Sequence, residues 1–325
     1  MNDTADKKSD MDVVIDTDTF NEIDDQYALA YLLRSTGQIN VKAVYAAPFL
    51  NEKVESIETG IEKSTDEIKK IIHLTGRDAN APAVLRGATQ FLKDEHTPAV
   101  SDAAENMVAQ ALRHTKENPL YVLGIAAATD IATALLLEPQ IAERMIVIWL
   151  GGSAREYEKW EEFNFIEDIA AARVLFASPV RLIQVPCWGV AEHFCISRPE
   201  LEYWLSGKNP LSDYLASITI REAEGYCAGL PWVKTIWDVT AAGWLINRNN
   251  LFMESRITDR PYIGYDRDCS WTKNSMKMEY VYRVNREHLF KDLFHKLTSD
   301  TISFEEIGDI IDTESLAHFY QKGYT

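Results

Sequence analysis

Short apolar runs alternate with longer amphipathic segments up to about residue 198. Five runs have the length of buried strands, at residues 13–15, 41–46, 121–125, 145–150 and 180–185. The segments between them have helical periodicity and predict helices at residues 24–34, 56–74, 103–114, 130–137 and 168–176. Strands that alternate with helices in this way predict a parallel sheet, with crossover helices covering both of its faces.

The pattern becomes mainly helical after about residue 198. It predicts helices at residues 211–223 and 235–247, a hairpin near residues 276–284 and a further helix from Arg286. No linker, repeat or low-complexity tract interrupts the chain. We therefore expect one α/β domain over residues 1–325, with an open, mainly parallel sheet and a largely helical C-terminal portion.

Composition narrows the classes of partner. Hydrophobic residues make up 46% of the 325 residues, and the formal net charge of −17 disfavours binding to nucleic acid or to an anionic membrane. The four cysteines are widely spaced without a CxxC pair, which argues against a zinc cluster or a disulfide framework. The polar N-terminus and the absence of a run of about 18 apolar residues indicate no membrane partner. A cytoplasmic enzyme is expected.

Acidic residues crowd together directly after the first predicted strand. Asp16, Asp18, Glu22, Asp24 and Asp25 lie within ten residues. In open α/β sheets this edge, at the carboxyl ends of the strands, is where ligands bind. Like charges this close raise one another's pKa unless a cation neutralises them, and a hard divalent ion prefers oxygen ligands. The alternative is that some of these acids only cap the following helix.

These residues form an Asp-x-Asp pair, a short loop, an Asp-Asp pair and an apolar helix. Further blocks follow in order, namely AAPFLN at 46–51, DIATAL at 130–135, WLGG at 149–152, EFN at 162–164 and WDVTA at 237–241. With them the chain resembles the nucleoside hydrolase family, whose members use water to cleave the bond between a ribose and a nucleobase. The resemblance spans roughly residues 12–250 and implies an open α/β sheet, in agreement with the hydrophobic pattern.

The resemblance implies one calcium ion at the bottom of the pocket. Its protein ligands would be the carboxylates of Asp18, Asp25 and Asp238 and the backbone carbonyl of Ile125. Asp18 would also be the general base that accepts a proton from the calcium-bound water. Asp16 would support these ligands from behind.

The resemblance also implies a set of residues that bind the nucleoside. Asp24 would hold a ribose hydroxyl, Glu162 and Asn164 would grip the ribose, and Asn51 would lie near the pocket. These contacts would favour the positively charged, oxocarbenium-like transition state over the substrate. Glu162 and Asn164 could instead form a helix-capping loop before Asp168.

The loop between the two acidic pairs is longer than in common family members. Five residues, 19–23, separate Asp18 from Asp24 where common members have three. We expect this loop to reshape the pocket wall and leave the ion in place. The alternative is that it brings Asn21 or Glu22 into the site.

Trp237 stands directly before Asp238, where many members have a histidine thought to protonate the leaving base. An indole cannot donate a proton at neutral pH, but its flat face can stack on a nucleobase. We therefore expect Trp237 to contact and help activate the base, with Trp160 and Trp232 as weaker candidates for a second stacking face. The alternative for Trp237 is an ordinary core residue at the start of a helix.

The favoured function is calcium-dependent hydrolysis of nucleosides or deoxynucleosides, with purine nucleosides slightly preferred. Because family members often form dimers or tetramers, a homo-oligomer is expected. One alternative is a catalytically silent nucleoside-binding protein. The other is a phosphatase of the haloacid dehalogenase type, since Asp16, Asp18 and Thr19 also fit its Asp-x-Asp-x-Thr motif.

Overall fold

The computed structural model describes residues 11–271, 273 and 276–299. Its main element is an eight-stranded sheet. The first six strands of the chain all belong to this sheet, and they are β1 (Met11–Thr17), β2 (Ile39–Ala46), β3 (Ala83–Arg86), β4 (Leu120–Gly124), β5 (Met145–Leu150) and β6 (Arg181–Val185).

The later strands divide between this sheet and two small antiparallel pairs. One pair joins β7 (Cys195–Ser197) to β8 (Val233–Thr235). The strand β9 (Met253–Asp259) lies at an edge of the main sheet. The second pair joins β10 (Tyr262–Ile263) to β11 (Cys269–Ser270), and β12 (Lys277–Val284) returns to the main sheet between β6 and β9.

Helices connect the strands. The crossover helices are α1 (Asp24–Arg34), α2 (Ile57–Leu74), α3 (Asp102–Ala111), α4 (Thr129–Leu137), α5 (Phe163–Glu167) and α6 (Ile169–Ala177). The later helices are α7 (Arg198–Trp204), α8 (Pro210–Cys227), α9 (Trp237–Leu245) and α10 (Arg286–Thr298). Several begin at a polar cap, such as Ser56, whose hydroxyl accepts from the backbone N–H of Thr59.

The sheet order is β3-β2-β1-β4-β5-β6-β12-β9. All neighbours are parallel except β9, which runs antiparallel to β12 at the edge. Successive residues of β1 pack on opposite faces: Val13 and Ile15 belong to one hydrophobic cluster, and Val14 belongs to the other. This confirms the predicted parallel sheet with helices on both faces.

Several details differ from the sequence prediction. The pattern missed β3, a four-residue edge strand whose side chains are only partly buried, so it has no continuous apolar run. The hairpin predicted near residues 276–284 is wrong: that segment holds one strand, β12, whose antiparallel partner is β9. The C-terminal portion therefore adds two strands to the sheet as well as helices α7 to α10. None of the helices within the described ranges is both long and apolar enough to cross a membrane.

Candidate active site

A cavity of about 280 Å³ opens at the carboxyl ends of the parallel strands. Asp18 and Ile125 are the residues directly after β1 and β4, and Cys187 is the second residue after β6. Because parallel strands end at the same edge, distant segments meet there. The cavity is lined by every predicted site residue except Asn51, namely Asp18, Asp24, Asp25, Ile125, Glu162, Asn164, Trp237 and Asp238.

Three of these carboxylates form a tight, buried group. Asp24 and Asp25 are the first two residues of α1, Asp238 is the second residue of α9, and one oxygen of each lies within 4.8 Å of the others. Burial, followed by the charges of neighbouring acids, raises the pKa of Asp24 to about 6 and that of Asp25 to about 8. The same causes raise the pKa of Asp238 well above its usual range.

The donor set of this group fits a hard divalent cation. It is buried and offers only carboxylate oxygens, which calcium and magnesium prefer, whereas zinc sites typically include sulfur or imidazole ligands. This group shares two residues with the predicted ligand set. Asp25 and Asp238 are members as expected, but among the described residues the third member is Asp24, which was expected to bind ribose. Asp18 and Ile125 line the same cavity outside this closest group.

Asp18 is buried beside these carboxylates. Its Oδ2 accepts a hydrogen bond of 2.9 Å from Asn21 Nδ2. Burial, and then the charges of Asp25 and Glu167, raise its pKa well above the usual range. The preceding Thr17 donates its hydroxyl to Asp25 Oδ1, which ties the end of β1 to the start of α1. The two acidic segments of the motif are therefore held in a fixed relation to each other.

The longer loop brings its own side chains into the cavity. Asn21 and Glu22 both line it, so the structure has the alternative arrangement and not only the reshaped wall that we expected. Glu22 accepts a hydrogen bond from Nζ of the buried Lys234. Two extra residues give the chain enough length to reach inward while Asp24 still begins α1.

Glu162 lines the same cavity, and its carboxylate accepts three hydrogen bonds. Its Oε1 accepts from the backbone N–H of Gly152 at 2.6 Å, and its Oε2 accepts from the backbone N–H of Asn164 at 3.1 Å and from Cys187 Sγ at 3.2 Å. Burial raises the pKa of Glu162 to about 7, against the lowering effect of these donors. Asn164 donates Nδ2 to the carbonyl of Leu150. Both residues therefore cap and brace a helix start, as the alternative predicted, and also line the cavity.

Aromatic rings form much of the remaining lining. Trp237 is half-buried, begins α9 and faces the cavity, together with Trp188 and Phe163. Trp160, expected as a second stacking face, is instead fully buried in the core, and Trp232 is not part of the lining. No histidine lines the cavity among the described residues.

Two cavity residues escaped the sequence reasoning. Cys187 and Trp188 follow β6, and their position just past a strand end was the available signal. Asn51, expected near the pocket, does not line the cavity, but it donates Nδ2 to Oδ1 of the lining residue Asn21 at 2.7 Å. Asp16 is fully buried beside Asp130, and within the described residues neither of its carboxylate oxygens has a hydrogen-bond partner.

Comparison with known proteins identifies the family. The model of the inosine-uridine preferring nucleoside hydrolases matches residues 13–291. The chain belongs to this family. It is a nucleoside N-ribohydrolase, which confirms the resemblance stated from the motifs and removes the phosphatase alternative. Among proteins of curated function, none matches the sequence.

Solved structures of nucleoside hydrolases share the fold. A plant enzyme, PpNRh1, is 17% identical with a TM-score of 0.70, over 90% of this chain and 100% of that one. A purine-preferring ribonucleoside hydrolase from Gardnerella vaginalis is 15% identical with a TM-score of 0.71, over 88% and 98%. An inosine-uridine preferring enzyme from Bacillus anthracis is 16% identical with a TM-score of 0.66, over 89% and 99%. At these identities the agreement concerns the fold.

Proposed function

We propose that this nucleoside hydrolase depends on calcium, uses Asp18 as its general base and slightly favours purine nucleosides. The observation that carries the proposal is the grouping of the buried Asp24, Asp25 and Asp238 in one cavity with Asp18 and two tryptophans. Buried acids at this density are costly as anions, and a divalent cation offsets that cost.

Asp25 and Asp238 would hold the ion, with Asp18 and the backbone carbonyl of Ile125 completing the protein ligands. A calcium ion held there would make water more acidic and would help to orient the ribose. Asp24 belongs to the same carboxylate group and would bind a ribose hydroxyl beside the ion. The proximity of Asp24 to Asp25 and Asp238 supports a shared role in ion and sugar binding.

Asp18 accepts the proton of the attacking water. Its Oδ2 is held by Asn21, and a carboxylate has enough lone pairs to accept a further proton or hydrogen bond. Burial excludes competing solvent from this carboxylate. Proton transfer to a base already in place lowers the barrier to attack at the anomeric carbon.

Glu162 and Asn164 hold the ribose as positive charge develops on it. Three donors fix the Glu162 carboxylate before the substrate arrives, so little reorganisation is needed during the reaction. A fixed anion stabilises the oxocarbenium-like transition state more than the neutral substrate. Binding at the sugar thereby contributes to the rate.

The nucleobase contacts the half-buried faces of Trp237 and Trp188. Both rings line the cavity, and a purine offers more area for stacking than a pyrimidine. No histidine of the described residues is available in the lining to protonate the leaving base. This composition supports a slight preference for purine nucleosides and activation by stacking.

The deciding experiment is a panel of purine and pyrimidine ribonucleosides and deoxyribonucleosides. Released base is measured by chromatography and released sugar by a reducing-end assay, with and without a calcium chelator. We expect purine nucleosides to be cleaved fastest, activity to vanish with chelator, and added calcium to restore it. Tight binding of nucleosides without release of sugar would identify a silent binding protein instead. Full activity after exhaustive chelation would exclude the calcium-dependent mechanism.

A further inference from the structure

A chain of three hydrogen bonds ends on Asp18. The backbone N–H of Lys53 donates to Asn51 Oδ1 at 2.9 Å, and Asn51 Nδ2 donates to Asn21 Oδ1 at 2.7 Å. Asn21 Nδ2 then donates to Asp18 Oδ2 at 2.9 Å. All three distances are those of ordinary, well-formed hydrogen bonds. The chain therefore links the segment after β2 to the residue after β1.

The chemistry of its two ends fixes the direction of this chain. A backbone N–H can only donate, so the oxygen of the Asn51 amide must face Lys53 and its nitrogen must face Asn21. The Asn21 oxygen is thereby occupied as acceptor, and its nitrogen is directed at Asp18. The ionised carboxylate that the proposed role of Asp18 as base requires can only accept, which agrees with this direction. Neither amide can flip without placing two donors or two acceptors against each other.

Asn21 is also anchored through its backbone. Its N–H donates to the carbonyl of Asp18 at 2.6 Å, and its own carbonyl accepts from Lys53 Nζ at 2.7 Å. Lys53 Nζ in turn donates to Glu222 on α8 at 2.8 Å. Asn21 lines the cavity, whereas Asn51 does not. A substitution of Asn51 can therefore reach the site through Asn21 without touching the cavity.

We propose that Asn21 is a positioning residue that holds the Asp18 carboxylate in its working orientation, and that Asn51 directs the Asn21 amide towards it. The inference rests on the proposed role of Asp18 as general base. Asn21 belongs to the longer loop between Asp18 and Asp24. The extra length of this loop therefore provides the side chain that orients the proposed base, Asp18. The Asn21 amide fixes one carboxylate oxygen and restricts rotation of the other.

The kinetic test compares Asn21→Ala, Asn51→Ala and the isosteric Asn51→Asp at saturating calcium. We expect kcat to fall about tenfold in Asn21→Ala, the effect of losing one hydrogen bond to a charged group, with KM changed much less. Asn51→Asp should lower kcat more than Asn51→Ala, because its second oxygen would force the Asn21 amide to turn its own oxygen towards Asp18. The double variant Asn21→Ala/Asn51→Ala should be no slower than Asn21→Ala alone.

The matched control is Asn40→Ala, which removes another Asn-to-Asp hydrogen bond, to Asp12, at an exposed position on β2. Its kcat and KM should equal those of the unaltered protein. Additive losses in the double variant, or a change confined to KM, would overturn the proposal, because Asn21 and Asn51 would then act separately or on substrate alone.

A readout independent of activity separates this proposal from the proposed function. The side-chain amide signals of Asn21 are identified in nitrogen-15 NMR spectra by their loss in Asn21→Ala. In the calcium-free protein we expect their exchange with solvent to accelerate at least about tenfold in Asn51→Ala. If the Asn21 amide exchanges at the same rate in Asn51→Ala as in the unaltered protein, the proposed link from Asn51 through Asn21 to Asp18 is wrong, even if the enzyme is active. If the amide exchanges faster in Asn51→Ala but the protein cleaves no nucleoside, the link between the two asparagines is supported. The proposed function, and not this link, is then wrong.

Discussion

The backbone N–H of Asp238 donates to Asp24 Oδ2 at 3.3 Å, and this bond joins the start of helix α9 to the start of helix α1. Both carboxylates therefore lie at helix N-termini, where unpaired N–H groups favour negative charge. Burial nevertheless dominates and raises both pKa values. The two helix ends alone do not stabilise the anions fully, and this deficit is what a cation would offset.

Substitution of a carboxylate in this group should remove the proposed calcium site. We expect Asp25→Ala to weaken calcium binding about 100-fold or more, because a charged oxygen ligand is lost from a buried site. Isothermal titration calorimetry measures the affinity. The control is Asp66→Ala, which removes an exposed acid from α2 and should bind calcium normally. Normal binding by Asp25→Ala, or by Asp238→Ala, would contradict the proposed ligand set.

Asp18→Asn should act on the chemical step. The amide keeps the shape of the side chain but cannot accept a proton, so we expect kcat to fall by about three orders of magnitude with ligand binding less affected. Single-turnover cleavage of inosine and equilibrium binding of a ribose-like inhibitor separate the two effects. If kcat falls only a few fold, another group must be the base.

The calcium-free protein should lose stability as the pH rises. Burial raises the pKa of Asp25 and of Glu167 to about 8 and that of Asp24 to about 6 in the folded state. Their unfolded values are about 4, so folding favours the protonated forms. The stabilising contribution is complete below about pH 4 and is lost between about pH 4 and 8 as these groups ionise.

Thermal unfolding in a chelator, followed from pH 5 to pH 8, measures this loss. Saturating calcium should make the slope shallower, because the ion favours the ionised carboxylates. Glu167→Gln should also reduce the slope, since it removes one of the groups that ionise on unfolding. A calcium-free protein that becomes more stable between pH 5 and pH 8 would contradict this assignment of the pKa shifts.

The sequence predicted the sheet, and it singled out acidic residues that the fold brings together at one cavity. Interior strands such as β5 are buried along their whole length and read as continuous apolar runs. Edge strand β9 has charged and exposed residues between its ends, so no such run marks it. The local spacing of Asp18, Asp24 and Asp25 indicated the acidic side of the cavity because residues close in sequence stay close after folding, whereas Asp238 joins them from a distant helix.

Contacts between segments that are distant in sequence were harder to predict. The Asn51 to Asn21 hydrogen bond depends on the path of the longer loop, which no periodicity encodes. Whether a tryptophan lines the cavity depends on its side-chain direction: Trp160, an expected stacking face, packs against Phe165 in the core, whereas Trp188, which the sequence reasoning missed, lines the cavity. The sequence identified tryptophans as candidates for stacking on a base, but it did not show which of them pack in the core and which line the cavity.

Cys187 should support substrate binding through Glu162. Its thiol donates to Glu162 Oε2 at 3.2 Å, so Cys187→Ala removes one of three donors and should raise KM several-fold. Cys187→Ser keeps a donor and should recover most of the affinity. Cys195→Ala is the control, since Cys195 donates to the carbonyl of Glu192 and does not line the cavity. Equal losses in the alanine and serine variants would mean that Cys187 contributes by packing only.

The last prediction concerns departure of the nucleobase. Trp237 lines the cavity next to Asp238, and no histidine of the described residues does so. An indole cannot protonate a base at neutral pH, but stacking contributes about 0.5–1.5 kcal/mol beyond burial. A stacked purine is also a better acceptor of a proton from solvent. Trp237→Ala should therefore lower kcat on inosine by up to about tenfold, the upper end of this range.

A riboside with a p-nitrophenol leaving group distinguishes activation from shape, because this group departs without protonation. If Trp237 activates the base, Trp237→Ala loses activity on inosine and retains it on the p-nitrophenyl riboside. If the ring only shapes the cavity, activity falls equally on both substrates, because each needs the same placement of the ribose against Asp18. Trp188→Ala, at the second half-buried tryptophan of the lining, provides the matched comparison. Selective loss on inosine in Trp237→Ala alone would assign activation to the residue that stands in the histidine position.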